Sequence, residues 1–239
     1  MIDIAEVDYE LRKKSIYSII LKIEFSIYLE GHNMDGQRGI NTKERSVSVS
    51  RKTGETDTYV SINLDGTGKS SVSTGIGFFD HMLESFARHG MFDLEVSVKG
   101  DLEVDSHHTI EDTGIVLGNA IGRAIGDKKG ICRFGECILP MDEALVLCAL
   151  DLSGRPYLRF NMEFSTPKVG GFDTEMVHEF FYAVSYSAGM NLHIRQLDGV
   201  NNHHIIEAAF KAFAKALDRA VCYDSRIEDV LSTKGTLGE

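Results

Sequence analysis

The sequence is short of basic side chains, of paired cysteines and of long apolar runs, and each shortage excludes a class of protein. Its 239 residues carry 25 Lys and Arg against 36 Asp and Glu, a formal charge of −11. This balance argues against a surface for a nucleic-acid backbone, which requires a basic excess. Its four cysteines form no CxxC pair, so we expect reduced, small core residues in a cytoplasmic protein.

No apolar stretch approaches the roughly 20 residues that a membrane-spanning helix needs. The best candidate, residues 16–29, is interrupted by Lys22 and Glu24. The same charges, and the lack of a small-residue cleavage site, weaken a signal-peptide interpretation. We therefore expect no membrane partner.

Residues 1–44 differ in composition from the rest of the chain. A β-branched and aromatic stretch, 15–29, precedes a polar, turn-rich stretch, 31–43. We predict an appended segment that is poorly ordered. The alternative is a genuine edge element built on Ile19, Ile20, Ile23 and Phe25.

From residue 45 onward, predicted strands and helices follow one order twice. The first repeat, 45–136, has strands at 46–50 and 57–64, a helix at 78–89, a strand at 92–98 and a helix at 108–125. The second, 137–224, has strands at 138–150 and 157–164, a helix at 177–187, a strand at 190–196 and a helix at 204–220. The helix text "HHTIEDTGIVLGNAIGRAI" corresponds to "HHIIEAAFKAFAKAL". The pattern predicts a duplicated ββαβα-like unit, an α+β sandwich whose helices pack on mixed sheets, followed by a polar tail at 225–239.

Each repeat begins its last helix with His-His-x-x-Glu. The six residues are His107, His108, Glu111, His203, His204 and Glu207. Residues four apart share a helix face, so the first His and the Glu can hold one ion. The second His is rotated by about 100° and should serve a different ion. A single copy would indicate a solvated polar turn, but two matching copies favour divalent metal binding.

Approximate two-fold symmetry then predicts two metal sites. One site takes His203, Glu207 and His108, and the other takes His107, Glu111 and His204. His81 is a good fourth ligand for one of them, and His178-Glu179 stands at the equivalent place in the second repeat. His89, at a helix end, can serve either the helix dipole or a substrate.

Other polar residues suggest an anion site. Arg133 and Arg155 lie in Gly-punctuated turns, where a guanidinium can approach an oxyanion, and the run 232–235 is rich in donors. Each of these is more often a surface turn when taken alone. Lys211 should face the metal site of Glu207, or make an ordinary i,i+4 ion pair with it. Asp142 and Glu143 are either partners of metal-bound histidines or a charged strand entrance.

The segment 45–235 resembles the imidazoleglycerol-phosphate dehydratase family of histidine biosynthesis. The resemblance is carried in order by long motifs, among them "SRKTGETD", "GIGFFDHMLESFARHGMFDL", "DSHHTIEDTGI", "KGICRFG", "LDLSGRPYL", "NNHHIIEAAFKAFAKAL" and "STKG". Residues 1–44 have no counterpart in it. The resemblance implies a homo-oligomer, a 24-mer shell built from trimers, with two Mn²⁺ in each active site between subunits.

The resemblance also implies roles for individual residues. One ion is held by His81, His108, His203 and Glu207, and the other by His107, Glu111, Glu179 and His204. His178 stands beside the position of Glu179, which leaves open which of the two is the ligand. The phosphate is bound by Arg133, Arg155, Ser232, Thr233 and Lys234. Further substrate contacts fall to Glu55, His81, His89, His107 and Glu111, and catalytic roles to Glu55, Glu207 and Lys211.

The implied reaction removes water from D-erythro-imidazole glycerol phosphate and gives imidazole acetol phosphate. We expect a metal-bound imidazolate to expel the hydroxyl, and Glu207, Glu55 or a metal-bound water to move the proton. Two other functions use the same residues. A dinuclear phosphate-ester hydrolase would release inorganic phosphate, and a metal-storage protein would leave the arginine turns unexplained.

Overall fold

The computed structural model describes residues 45–237, which contain two four-stranded sheets of identical strand order. The first sheet consists of β1 (Ser46–Lys52), β2 (Thr56–Asn63), β3 (Ser70–Ser73) and β4 (Asp93–Gly100), in the order β1-β2-β4-β3. The second consists of β5 (Phe134–Met141), β6 (Ala144–Asp151), β7 (Tyr157–Asn161) and β10 (Asn191–Asp198), in the order β5-β6-β10-β7. In each sheet one edge pair is parallel and the other pairs are antiparallel. A small hairpin, β8 (Lys168–Val169) with β9 (Phe172–Asp173), lies between β7 and the next helix in sequence.

The helices of this region lie against both sheets and against each other. They are α1 (Gly77–Gly90), α2 (His107–Ile125), α3 (Met176–Ala188) and α4 (Asn202–Val221). Helix α2 packs on β1 and β2 and on α3, while α4 packs on β5 and β6 and on α1. The helices therefore form a shared layer of the sandwich.

Buried phenylalanines join the two repeats within this layer. Phe86 of α1 stacks on Phe213 of α4 with ring centroids 5.4 Å apart, and Phe79 meets Phe180 of α3 at 5.3 Å. All four rings are fully buried. Because burying one such ring contributes about 1.5–3 kcal/mol, the aromatic layer makes the two repeats one cooperative core.

The helix pairs match position by position. Ile110, Leu117 and Ile121 of α2 are buried. The residues 96 positions later in α4 are buried as well, and they are Ile206, Phe213 and Leu217. The sheet register agrees, since Asn63 pairs with Asp93 in the first sheet and Asp151 pairs with Asn191 in the second. The predicted duplication and α+β class are confirmed.

Three details of the predicted elements are wrong. The strand predicted at 138–150 is a hairpin, because Asp142 turns the chain at a φ of 47° between β5 and β6. Strand β3 was not predicted, since its Ser-Ser-Val-Ser sequence has no apolar alternation. Gly90 follows the predicted helix at 78–89 and predicts its stop, but helix α1 includes Gly90 and is capped by Met91, which takes the left-handed conformation at a φ of 59°.

Cys137 and Cys148 are buried core residues as expected, whereas Cys222 is exposed. Among residues 45–237, no helix has the length and apolarity to cross a membrane. The division into repeats at 136/137 stays a prediction, and β5 begins at Phe134. The segment 1–44 lies outside the described residues.

Candidate functional site

Three side chains predicted as ligands of one ion meet where α1 passes the start of α4. His81, His203 and Glu207 bring ligand atoms within 4.8 Å of one another. Glu207 Oε2 lies 3.6 Å from His81 Nε2 and 3.2 Å from His203 Nε2. The Asn201 side chain caps α4 by accepting a hydrogen bond from the His203 backbone, which fixes the turn that carries the pair. Two imidazoles and a carboxylate at this spacing form a donor set suited to a divalent transition metal.

Lys211 holds the other oxygen of the same carboxylate. Its Nζ lies 2.8 Å from Glu207 Oε1, and the Glu207 side chain is only 9% exposed. Burial works to raise the pKa of Glu207, but the hydrogen bond and charge of Lys211, helped by His81 and His203, outweigh it and lower the pKa. The predicted i,i+4 ion pair of Lys211 is therefore present, and it places Lys211 beside the cluster, whereas its role at a metal site stays a prediction.

His108 and His204, the second histidines of the two motifs, each have a carboxylate on Nδ1. Asp101 Oδ2 lies 3.0 Å from His108 Nδ1, and Glu143 Oε2 lies 2.7 Å from His204 Nδ1. The hydrogen bond to Asp101 raises the pKa of His108, and the hydrogen bond from His204 lowers the pKa of Glu143 to about 2. An imidazole anchored through Nδ1 keeps Nε2 as its ligand atom, which is the usual arrangement behind a metal-bound histidine.

A second carboxylate faces the Nε2 atom of each of these histidines. Glu55 Oε1 lies 3.7 Å from His108 Nε2, and Asp142 Oδ2 lies 3.6 Å from His204 Nε2. Both acids sit at the tips of hairpins, β1–β2 and β5–β6. For Asp142 and Glu143 these contacts favour the interpretation as histidine partners over that of a charged strand entrance.

The remaining predicted ligands are not gathered in one chain. Within residues 45–237, the group of His81, His203 and Glu207 is the one with metal-binding spacing. The predicted ligands outside it are His107, His108, Glu111, Glu179 and His204. Glu179 instead lies beside His178, with Oε1 3.0 Å from Nδ1. His89 stands at the end of α1, where Nδ1 is 2.8 Å from the Ser85 carbonyl.

The matched helices α1 and α3 relate Glu179 to His81. Their left-handed caps are Met91 and Gly189, and His81 and Glu179 each lie ten positions before the cap. The same offset of 98 superposes the buried positions of the helices: Phe79 on Val177, Met82 on Phe180, Leu83 on Phe181 and Phe86 on Val184. Glu179 therefore occupies the place of His81, and His178 occupies that of Asp80.

The predicted anion-binding residues share one cleft of about 670 Å³. It is lined by Arg133, Arg155, Ser232, Thr233 and Lys234, together with neighbouring residues of the tail. Arg133 has a positive φ of 68°, and its Nε and Nη2 atoms lie 2.7 and 3.0 Å from the two oxygens of Asp151. Arg155 is exposed to the cleft. Guanidinium, ammonium and hydroxyl donors around one cleft suit a phosphate group.

Sequence reasoning missed Arg226, Asp101 and Asp112. Arg226 lines the cleft and pairs with Asp224, whose pKa its hydrogen bonds lower to about 2. Asp101 follows β4, and Asp112 lies in α2. No motif marks Arg226 or Asp101, and Asp112 lies inside "DSHHTIEDTGI" without a role being assigned to it. The spacing of Asp112 from His108, one helical turn, was the one available signal.

The comparisons with known proteins assign the chain to a class of enzymes, the hydro-lyases. The sequence model described as imidazoleglycerol-phosphate dehydratase matches residues 74–217. The chain belongs to this family.

Individual relatives and solved structures agree. The imidazoleglycerol-phosphate dehydratase of Lachnoclostridium phytofermentans is 65% identical over 193 residues, which are 81% of this chain and 98% of that protein. The enzyme of Acetivibrio thermocellus is 63% identical over 81% of this chain and 100% of its own length. The crystal structure from Staphylococcus aureus has a TM-score of 0.68 at 42% identity and covers 74% of this chain and 100% of that one. The Pyrococcus furiosus enzyme, in complex with (S)-C348, has a TM-score of 0.69 at 38% identity and covers 79% of this chain and 100% of that one.

Proposed function

We propose that this chain dehydrates D-erythro-imidazole glycerol phosphate to imidazole acetol phosphate in histidine biosynthesis. The observation that carries the proposal is the cluster of His81, His203 and Glu207. Near-complete coverage of a dehydratase that is 65% identical supports it. The cleft lined by Arg133 and Arg155 suits the phosphate of this substrate and would have no purpose in a metal-storage protein.

We further propose that the site binds two Mn²⁺ ions. The donor chemistry fits divalent metals, and Mn²⁺ is chosen by family resemblance, because ligand type alone favours other metals. The first ion would be held by His81, His108, His203 and Glu207. The second would be held by His107, Glu111, Glu179 and His204. Ions held there would supply Lewis-acid stabilisation of the substrate ring as its anion.

The match of Glu179 to His81 supports Glu179 over His178 as the ligand of the second ion. Each set of four ligands then has the same composition. One ligand comes from α1 or α3, which is His81 in the first set and Glu179 in the second, and the other three come from the two His-His-x-x-Glu motifs. Since the second set is not gathered within residues 45–237 of one chain, we propose that neighbouring subunits complete the sites. This fits the expected cytoplasmic 24-mer assembled from trimers.

The protein residues divide the remaining work. Arg133, Arg155, Ser232, Thr233 and Lys234 would bind and orient the phosphate. The carbon next to the imidazole ring loses its hydroxyl group, and the following carbon must lose one proton. A carboxylate can accept that proton. Glu207 is buried and engaged by Lys211, whereas the Glu55 side chain is 56% exposed with His108 Nε2 3.7 Å away. Glu55 Oε1 is therefore the better-placed acceptor of that proton.

The direct test is to incubate the purified protein with Mn²⁺ and imidazole glycerol phosphate and to quantify the products. We expect imidazole acetol phosphate without inorganic phosphate, and release of inorganic phosphate would instead indicate ester hydrolysis. His108→Ala should lose turnover and bound metal together. Full turnover in this variant would refute the ligand assignment.

A further inference from the structure

Asp112 is a buried carboxylate in α2 to which the proposed reaction gives no role. Its side chain is 7% exposed, and it lies one helical turn after His108. Oδ1 is 3.1 Å from Arg51 Nε in β1, and Oδ2 accepts a hydrogen bond from Thr56 Oγ1 in β2. A buried carboxylate is costly unless it is paired, so these contacts bind the hairpin firmly to α2.

The tip of this hairpin carries Glu55, and the tip is tied to Thr56. Thr53 Oγ1 accepts hydrogen bonds from the backbone N–H groups of Glu55, at 3.1 Å, and of Thr56, at 3.0 Å. The Thr53 N–H donates to the Thr56 carbonyl at 2.9 Å. A shift of Thr56 away from α2 would therefore move the backbone of Glu55.

Asp101 holds the tip from the opposite side. Its N–H donates to the Glu55 carbonyl at 3.2 Å, and its carboxylate contacts His108 Nδ1. Helix α2 passes so close to the end of β4 that a Cβ atom on Gly100 would lie 2.0 Å from Thr109 Oγ1. Asp112, Thr56, Glu55, Asp101 and His108 thus form a closed ring of contacts that starts and ends on α2.

The second repeat shows that the fold itself does not require this carboxylate. The position equivalent to Asp112 in α4 is Ala208, which is fully buried. The equivalent hairpin packs on α4 with a connection of only two residues, Asp142 and Glu143. The longer tip at 53–55 is the one that has the buried anchor.

We propose that Asp112 is a positioning residue that holds Glu55 opposite His108 Nε2. The inference rests on the proposed function in one respect, since it takes Glu55 as a group that meets the substrate. Loss of Asp112 would then act on catalysis through Glu55 and not independently of it.

The first measurement is hydrogen–deuterium exchange of the tip, which requires neither metal nor activity. Asp112→Asn should speed exchange of the Glu55 and Thr56 amides by about tenfold or more, because Thr56 is no longer anchored to α2 and its hydrogen bonds with Thr53 open more often. The matched control is Asp65→Asn, which removes the carboxylate from buried Arg45, and it should leave exchange at 53–56 unchanged. Unchanged exchange at the tip in Asp112→Asn would overturn the proposal.

The second measurement is a double-mutant cycle on kcat/KM. Asp112→Asn alone should lower kcat/KM by about tenfold, as small misplacements of reacting groups do. In a Glu55→Gln background the same change should have almost no further effect. Independent, multiplicative losses would show a general structural effect and overturn the proposal.

Milder variants keep the test open if Asp112→Asn folds poorly. Thr56→Val replaces the hydroxyl that contacts Asp112 by a methyl group and should reproduce both effects. Thr56→Ser keeps the hydroxyl and should restore wild-type exchange and wild-type kcat/KM. Equal behaviour of the valine and serine variants would contradict the proposal. If the wild-type protein showed no dehydration, the proposed function would fail, while the exchange experiment would still decide whether Asp112 holds the tip.

Discussion

Arg45 in the first repeat and Arg133 in the second occupy equivalent positions before the first strands of their sheets. The carbonyl of each accepts a hydrogen bond from the residue after the next strand, Leu64 at 3.0 Å and Leu152 at 3.1 Å. Each guanidinium contacts an aspartate and lies 4.6 Å from an aromatic ring. Yet Arg45 is buried against the carbonyl of Val221 at the end of α4, whereas Arg133 lines the cleft.

The difference teaches that the role of an arginine at this position depends on what covers it. In the first repeat the end of α4 closes over the guanidinium, and burial favours a structural ion pair. In the second repeat the tail beyond 224 runs past the guanidinium and leaves a cleft. One ancestral position thus serves stability in one half and, we propose, phosphate binding in the other.

Helices α2 and α4 show a similar divergence. Glu207 is buried beside Lys211, while the equivalent residues in α2 are the less buried Glu111 and the apolar Ile115. His203 and Glu207 of the second motif therefore form a cluster with His81 of the same chain, whereas His107 and Glu111 of the first motif are not part of such a cluster. Variants that make one helix resemble the other test what this asymmetry contributes.

Lys211→Ile gives α4 the residue found in α2, and we expect the largest effect from it. The buried carboxylate of Glu207 loses its cation, which should destabilise metal-free protein by about 2–3 kcal/mol. The cluster geometry should loosen, with a loss of at least about a hundredfold in kcat/KM. Denaturant unfolding and the dehydration assay measure the two effects. The converse change, Ile115→Lys, is the control, and an equal loss in that variant would contradict a special role for the buried pair.

Glu179 and His178 allow the comparison of α1 with α3 to be tested. Glu179→Gln should weaken binding of one of the two Mn²⁺ ions by at least about tenfold, because it removes a proposed ligand at the position that His81 holds in α1. His178→Gln should leave the stoichiometry at two. Calorimetric titration of Mn²⁺ into the assembled protein measures the affinity and the stoichiometry of binding in both variants. Loss of an ion in His178→Gln alone would show that the helix match misplaces the ligand.

Substitutions of Arg133 and Arg45 should have different effects, the first on substrate binding and the second on the free energy of unfolding. Arg133→Leu should raise KM by about tenfold with a smaller change in kcat, since a phosphate contact is lost in ground and transition states alike. Arg45→Leu should instead lower the free energy of unfolding, by about 1–2 kcal/mol, because the Val221 carbonyl loses its buried donor while Asp65 stays partly exposed. Steady-state kinetics and urea unfolding of both variants make the comparison. A raised KM with unchanged stability in Arg45→Leu would break the assignment of roles.

The sequence was sufficient for the duplication and for most helices, because apolar spacing and the repeated His-His-x-x-Glu motif are local signals. It also brought His203 and Glu207 together correctly, since four residues of helix fix their separation. It could not show which ligands meet within one chain, because that depends on how α1 packs on α4. Asp112 was missed for the same reason, because its partners Arg51 and Thr56 lie in strands that are distant in sequence. Asp101 was missed because its contact with His108 depends on how the chain turns between β4 and α2.

The smallest expected effect concerns Asp93 and Asn191, which occupy equivalent places in β4 and β10. Asp93 Oδ1 accepts from the backbone N–H groups of Thr67 and Lys69, and these bonds lower its pKa, whereas Asn191 donates to the Arg155 carbonyl. A carboxyl with a lowered folded pKa stabilises the protein above its unfolded pKa of about 3.9, and this contribution fades as pH falls through the folded pKa.

Asp93→Asn, which copies the second repeat, should therefore cost less than about 1 kcal/mol at neutral pH, because the site is largely solvated. The difference from wild type should shrink as the pH falls below 4, since the wild-type carboxylate then becomes protonated. Urea unfolding of both proteins between pH 3 and pH 7 measures it. Because Asn191 has no charge to lose, the Asn191→Ala variant should differ from wild type by an amount that does not change with pH. A pH-independent deficit in Asp93→Asn would mean that the turn at 65–69 is held by the shape of the side chain and not by its charge.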